Sequence, residues 1–127
     1  MRISDASLRL AIKNIAAFGD TDIFPVPIEK YWFGEEPEVV FDLLVDLRKD
    51  LERSRNQVSI YSSTELVNVG YFGFRAGTQI DPLWNALLLA STIEVAEQIE
   101  NKRQPEDNVL SYRFSPDRAK GLSLIHI

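Results

Sequence analysis

Two carboxylates two positions apart, Asp20 and Asp22, are the first residues here whose types and spacing could do chemistry, as ligands for a divalent cation. No further ligand stands near them in sequence, and an isolated pair of this kind more often caps or turns a chain. Serines are present, but none lies in a G-x-S-x-G elbow. The single histidine, His126, is the one residue that could serve a triad or an imidazole metal site. Cysteine is absent, which removes thiolate nucleophiles, thiolate metal sites and disulfides. Gly70, Gly73 and Gly77 miss the dinucleotide fingerprint, and no Gly-Lys-Ser/Thr follows them. The run GYFGF at 70–74 has the aromatic character of an RNA-binding strand. Its spacing is off by one residue and the leading Lys or Arg is missing, so that match is rejected. These glycines are read as permitting a bend or close packing. The carboxylates are spread along helix surfaces, there is no Asp-Asp pair, and the residues alone define no catalytic constellation.

The elements that would position any site are easier to read. The chain is organised around residues 78–99, TQIDPLWNALLLASTIEVAEQI, its most apolar run. Asp81 is a natural N-cap and Pro82 a natural first helical residue. Trp84, Leu87, Leu88, Ser91, Val95 and Ile99 recur at helical spacing, and Leu83, Leu89, Ala90 and Ile93 make the other side apolar. The spacing predicts a helix to about Lys102, buried nearly all round and ended by Gln104-Pro105. Residues 5–18 form a first helix with Leu8, Ile12, Ile15 and Ala16 on one face, ended by Gly19 in a left-handed conformation. Pro25 and Pro27 forbid a helix over 20–33 and push Phe24 and Val26 into extended geometry. The aromatics Phe24, Tyr31, Trp32 and Phe33 form either a lid on the core or a binding lip, and burial energy favours the lid. Residues 36–55, with Pro37 in the first turn, form a second helix on a Val40, Leu43, Leu44, Leu47, Leu51 stripe; its charges are read as a solvated face. Glu35, Glu36 and Glu38 near its start and Arg53 and Arg55 near its end complement the dipole. Residues 57–64 read as a loop. Val67, Val69 and Tyr71 alternate with Asn68 and Gly70, which predicts a half-buried strand. Residues 108–114 form another strand and 115–121 a turn. This order of helices and strands predicts an α+β fold without βαβ alternation.

A length of 127 residues allows one domain, and 45% hydrophobic with 26% charged residues describes a globular chain. The N-terminus lacks a signal-peptide core, and the apolar run at 87–90 is interrupted too soon by Glu94 and Glu97 to span a membrane. A soluble, cytoplasmic protein without membrane partners is the expectation. The net charge of −5 argues against a nucleic-acid surface within these residues, though a neighbouring domain could carry the basic charge. The last six residues, LSLIHI at 122–127, are what CTG-TCT-CTT-ATA-CAC-ATC encodes, a common transposon-based sequencing adapter. They are read as adapter translation, with a real C-terminal strand as the alternative. On that reading His126 is not native and the gene is incomplete.

Three stretches carry a family resemblance: AFGDTDIFPVPIE at 17–29, VGYFGFRAGTQIDPLWNALLLA at 69–90 and NVLSYRFSPD at 108–117. Together they resemble the N-terminal part of bacterial reverse transcriptase-like proteins (RNA-directed DNA polymerases) of the retron and phage-defence type. The blocks follow the family's order; the second is fairly specific, and the third is weak alone. The resemblance implies a mainly helical N-terminal extension with short strands and part of the fingers of a right-hand polymerase, over residues 1–121. Family catalysis uses palm aspartates, one in an early motif and a pair in an aromatic-x-Asp-Asp turn, holding two divalent ions. This chain stops before both motifs, so no catalytic residue, metal ligand or cofactor is carried over. The full-length protein is expected to take Mg²⁺, dNTPs, an RNA or DNA template–primer and the missing C-terminal palm, and these residues alone are expected to be inactive. Within the blocks, Arg75 and Arg113 are expected either to contact phosphate or to serve as structural ion pairs or snorkelling cations at the core edge. Tyr112 or Phe74 would stack on a base or pack in the core. The competing reading is a non-enzymatic interaction module whose acidic surface and aromatic lip bind a protein. A standalone enzyme is least favoured, because its catalytic groups are missing.

Overall fold

The computed structural model describes residues 3–19, 27–51, 53, 56, 60–68, 70–103, 113–117 and 121–125, the last two stretches by their backbone alone. Ser4 caps helix α1 (Asp5–Phe18), its Oγ accepting from the Ser7 N–H, and Asp5 sits in the first turn where the helix dipole favours an anion. Ser7, Leu8, Ala11, Ile12 and Ile15 recur at three- and four-residue spacing and are buried. Ala16, expected on that face, is exposed; the core stripe runs through Ala11 instead. Gly19 ends the helix, donating its N–H to the Ile15 carbonyl. Its φ of 83° is positive as expected, but its ψ of 173° takes the chain out extended rather than left-handed helical.

After Pro27 the backbone coils. A 3₁₀ turn at Ile28–Tyr31 runs into the short helix α2 (Trp32–Glu35). This corrects the extended reading of 20–33 over residues 28–33: Pro27, itself extended, is the N-cap of the turn, where a missing N–H costs nothing. Residues 20–26, with Asp20, Asp22, Phe24 and Val26, lie outside the described residues. Of the described aromatics only Phe33 enters the core, and Tyr31 and Trp32 are exposed, so the lid reading holds for Phe33 alone.

Helix α3 (Pro37–Lys49) starts at Pro37 as expected and is broken at Asp50, whose φ is −141°, while Leu51, Arg53 and Asn56 beyond the break are again helical. Arg48 and Lys49 occupy the last turn, where Arg53 and Arg55 were expected. Only Val40 and Leu44 of the expected stripe are buried; Leu47 is half-buried, and Leu43 and Leu51 are exposed.

Helix α4 (Pro82–Lys102) is capped by Asp81, whose Oδ1 accepts from the N–H groups of Leu83 at 2.9 Å and Trp84 at 3.4 Å. Its buried face is Pro82, Ala86, Leu87, Ala90, Ile93 and Ala96, so the all-round burial expected for this helix is corrected: Leu88 and Ile99 are at least half exposed. Small side chains let α1 lie close against α4, with α3 packed on both. The buried face thus alternates small alanines with Leu87 and Ile93.

Two antiparallel hairpins complete the fold. Strands β1 (Ser62–Asn68) and β2 (Phe74–Ile80) pair from Ser62↔Ile80 to Asn68↔Phe74. The expected strand through Tyr71 is corrected: residues 70–73 form the turn between two strands, and Ser62–Thr64, read as loop, belong to β1. Strands β3 (Arg113–Asp117) and β4 (Gly121–Ile125) pair from Arg113↔Ile125 to Asp117↔Gly121, so the turn expected at 115–121 is corrected at 115–117 and 121, which are strand, and residues 118–120 lie outside the described residues. The ladder runs through part of the suspected adapter. Backbone pairing needs no particular side chains, so it fits either origin of that tail. The architecture is mixed helix and small antiparallel sheet, α+β as expected.

Candidate functional site

The described residues of the second family-like block, 70–90, run through the hairpin turn, β2, the Asp81 cap and the first turns of α4. Gly70 adopts a φ of 136°, which an L side chain rarely accepts. Asn68 prepares that turn, its Oδ1 accepting from the Gly70 N–H at 3.0 Å. At the base, the Asp81 N–H donates to the Tyr61 carbonyl at 3.1 Å, while the Asp81 side chain caps α4. One aspartate therefore ties both ends of the hairpin to the helix start.

The hairpin carries its apolar side chains outward. Tyr71 and Phe72 at the tip are each 99% exposed, Leu66 75% and Phe74 69%. Strand alternation divides the hairpin into two unlike faces. One holds Thr64, Leu66, Asn68, Phe74, Ala76 and Thr78 and is uncharged, with Thr64 Oγ1 and Thr78 Oγ1 3.5 Å apart. The other holds Ser63, Glu65, Val67, Arg75, Gly77 and Gln79. Gln79 is buried, and its Nε2 lacks a hydrogen-bond partner. Among the described residues no helix packs broadly against either strand.

Arg75 is exposed on β2, on the face opposite Phe74, so these two cannot grip one ligand from the same side. Arg113 begins β3 in the other sheet, with its side chain outside the described residues, and Tyr112 also lies outside them. Sequence reasoning singled out Phe74 and Arg75 but missed Tyr71 and Phe72 as the most exposed aromatics. Glycines on both sides of that pair were the available signal for a turn.

A groove of about 280 Å³ lies between α1 and the start of α3. Ile12 and Phe33 line it, with Arg9 and Lys13 at hand. Arg9 is engaged: its guanidinium donates to both Glu38 carboxylate oxygens, at 2.7 and 3.0 Å, and lies 3.9 Å from the Phe41 ring centre. Among the described residues no three acidic or histidine side chains converge as a metal site, and no helix is long and apolar enough to cross a membrane. Compared with family models, curated proteins and solved structures, the chain finds no match.

Proposed function

We propose that this chain is the N-terminal part of an RNA-directed DNA polymerase of the reverse transcriptase type. In that reading the hairpin–helix unit belongs to the fingers, and nucleotidyl transfer is performed by a palm beyond these residues, with Mg²⁺. The observation that supports it most is that the most specific family-like block runs, over its described residues 70–90, unbroken from the hairpin turn through β2 into α4, joined at the Asp81 cap. Exposed aromatics at its tip suit stacking on unpaired bases, worth about 1–3 kcal/mol per base. Arg75 on the neighbouring strand suits a phosphate or triphosphate oxygen.

The test is to extend the open reading frame in the source DNA, express the longer protein and assay primer extension with dNTPs and Mg²⁺. The expected result is an aromatic-x-Asp-Asp motif downstream and synthesis abolished by its Asp→Asn variants, with Arg75→Ala raising KM for template or dNTP. A genuine stop codon near Gly121 in a complete assembly would overturn the reading.

The competing reading, a protein-interaction module, is favoured by one feature. The uncharged hairpin face has no cation with which to meet phosphate, as a nucleic-acid surface requires.

A further inference from the structure

Independently of the polymerase reading, the hairpin leaves two strand edges whose backbone groups can be assigned one by one. The Asp81 N–H donates to the Tyr61 carbonyl, so these two residues form a hydrogen-bonded pair at the base of the ladder. Antiparallel ladders alternate hydrogen-bonded with non-hydrogen-bonded pairs, and that one bond therefore sets the alternation along the whole hairpin. Arg75, Gly77 and Gln79 turn their backbone groups inward to β1, while Phe74, Ala76, Thr78 and Ile80 turn theirs outward. On β1 the outward row is Ser62, Thr64, Leu66 and Asn68. Among the described residues no third strand takes up either row. A lone two-stranded hairpin is marginal unless a further strand or a helix joins it, and no described helix packs broadly on this one.

We infer that the edge of β2 pairs antiparallel with β2 of a second copy of this chain, about a two-fold axis at Gly77. In that register the two outward rows meet: Phe74 stands opposite Ile80 and Ala76 opposite Thr78, each twice by symmetry. About eight backbone hydrogen bonds close the seam. Between them fall the non-hydrogen-bonded pairs, where side chains come closest. These set Gly77 against Gly77 and Arg75 against the neutral Gln79, so no like charges meet. Phe74, Arg75, Ala76 and Thr78 are exposed, which leaves the edge approachable, and Phe74 gains an apolar cross-strand neighbour. The edge of β1 does not fit itself: centred in the same way, it sets Glu65 against Glu65 at a close pair, which is destabilising. Joining β1 of one copy to β2 of the next would repeat without closing, whereas the β2 seam closes as a dimer. The result is a four-stranded sheet in the order β1-β2-β2-β1, on which the uncharged faces of both hairpins form one surface.

Sedimentation equilibrium of the whole chain from about 10 µM to about 1 mM should show a monomer passing into a dimer and stopping there. Over the same range, amide hydrogen exchange by NMR should slow at Phe74, Ala76, Thr78 and Ile80 and stay fast at Thr64 and Leu66. Ala76→Pro removes one outward N–H without touching the bonds to β1, and should weaken the dimer at least about tenfold. Leu66→Pro makes the same change on the edge of β1 and should leave the dimer within about twofold. If Ala76→Pro folds poorly by circular dichroism, Ala76→Lys with Thr78→Lys serves in its place, since it sets lysines opposite one another across the seam. That variant should be monomeric alone, and should pair with a chain carrying Ala76→Glu and Thr78→Glu. Each of the following would overturn the inference: a chain still monomeric at about 1 mM, growth beyond the dimer, equal losses from the two proline variants, slowed exchange at Thr64 and Leu66 in place of β2, or lysine and glutamate variants that do not pair.

Discussion

Glu94 on α4 accepts a 2.7 Å hydrogen bond from the Ser7 hydroxyl on α1, across 87 positions of sequence. The same Oε2 accepts from the Ser4 hydroxyl at 2.8 Å and the Ser4 N–H at 3.0 Å. A carboxylate from one helix therefore secures the capped start of another, and charge-assisted bonds of this kind are stronger than neutral ones.

Replacing that acceptor should be costly. Glu94→Ala leaves donors of Ser4 and Ser7 without their partner in a part-buried setting, and should destabilise by about 1–3 kcal/mol. Glu94→Gln keeps the shape and one acceptor oxygen and should cost less. Urea unfolding of both variants measures this; a wild-type midpoint for Glu94→Ala would show that the three bonds contribute nothing net.

Gly19 tests backbone conformation. Its φ of 83° with ψ of 173° is a region that side-chain-bearing residues avoid, and a Cβ there would lie 2.8 Å from Lys30 Nζ. The lysine tip can swing away, so strain dominates. Gly19→Ala should lower stability by about 1–3 kcal/mol. An unchanged melting temperature would mean that the loop relaxes at no cost.

The hairpin tip should behave oppositely. Tyr71→Ser with Phe72→Ser removes side chains that touch little else in the chain, so stability should change by less than about 0.5 kcal/mol. Association should fall: the double variant should show less concentration-dependent light scattering than wild type. A large loss of stability would mean that the tip is packed in solution.

The Arg9–Glu38 pair gives a pH signature. The Arg9 hydrogen bond holds the Glu38 carboxyl below its ordinary value, and Glu38 in turn raises Arg9. A carboxyl lowered by folding binds fewer protons folded than unfolded, so its contribution is complete above the ordinary carboxylate value. That contribution disappears as pH falls through the lowered folded value. Melting temperatures of wild type and Glu38→Gln should differ slightly at neutral pH, converge in acid, and draw together in high salt, since both groups are exposed. A gap that persists in acid would assign the effect to packing on Phe41.

Much of this architecture was legible where a residue's backbone chemistry leaves one solution. Asp81-Pro82 marked the start of α4, Gly19 marked the end of α1, and both held. The hairpin was obscured because the alternation of Val67, Val69 and Tyr71 runs straight into its turn, and period alone does not reveal where pairing stops. Thr78–Ile80 read as the approach to a helix, although β2 includes them. On α4 the expected residues Leu87, Ala90 and Ile93 are buried, but Leu88 and Ile99 are exposed and Ala86 and Ala96 are buried in their stead, small side chains that an apolar stripe of large residues does not reveal. Of the proposed contact residues, Arg75 could be placed on a strand from its neighbours, but its separation from Phe74 depends on register, which only pairing defines.

The packing of α1 on α4 also has a consequence in time. Leu8, Ile12 and Ile15 are synthesised before Ala86, Ala90, Ile93 and Glu94, which come roughly eighty positions later. At about 5–20 residues per second, α1 waits roughly 4–16 seconds for that half of its cover. During that interval its apolar face is open to whatever is nearby. Helix α1 is thus made well before the helix that secures it, and slowing synthesis between the two should raise the fraction of chains that aggregate before they fold.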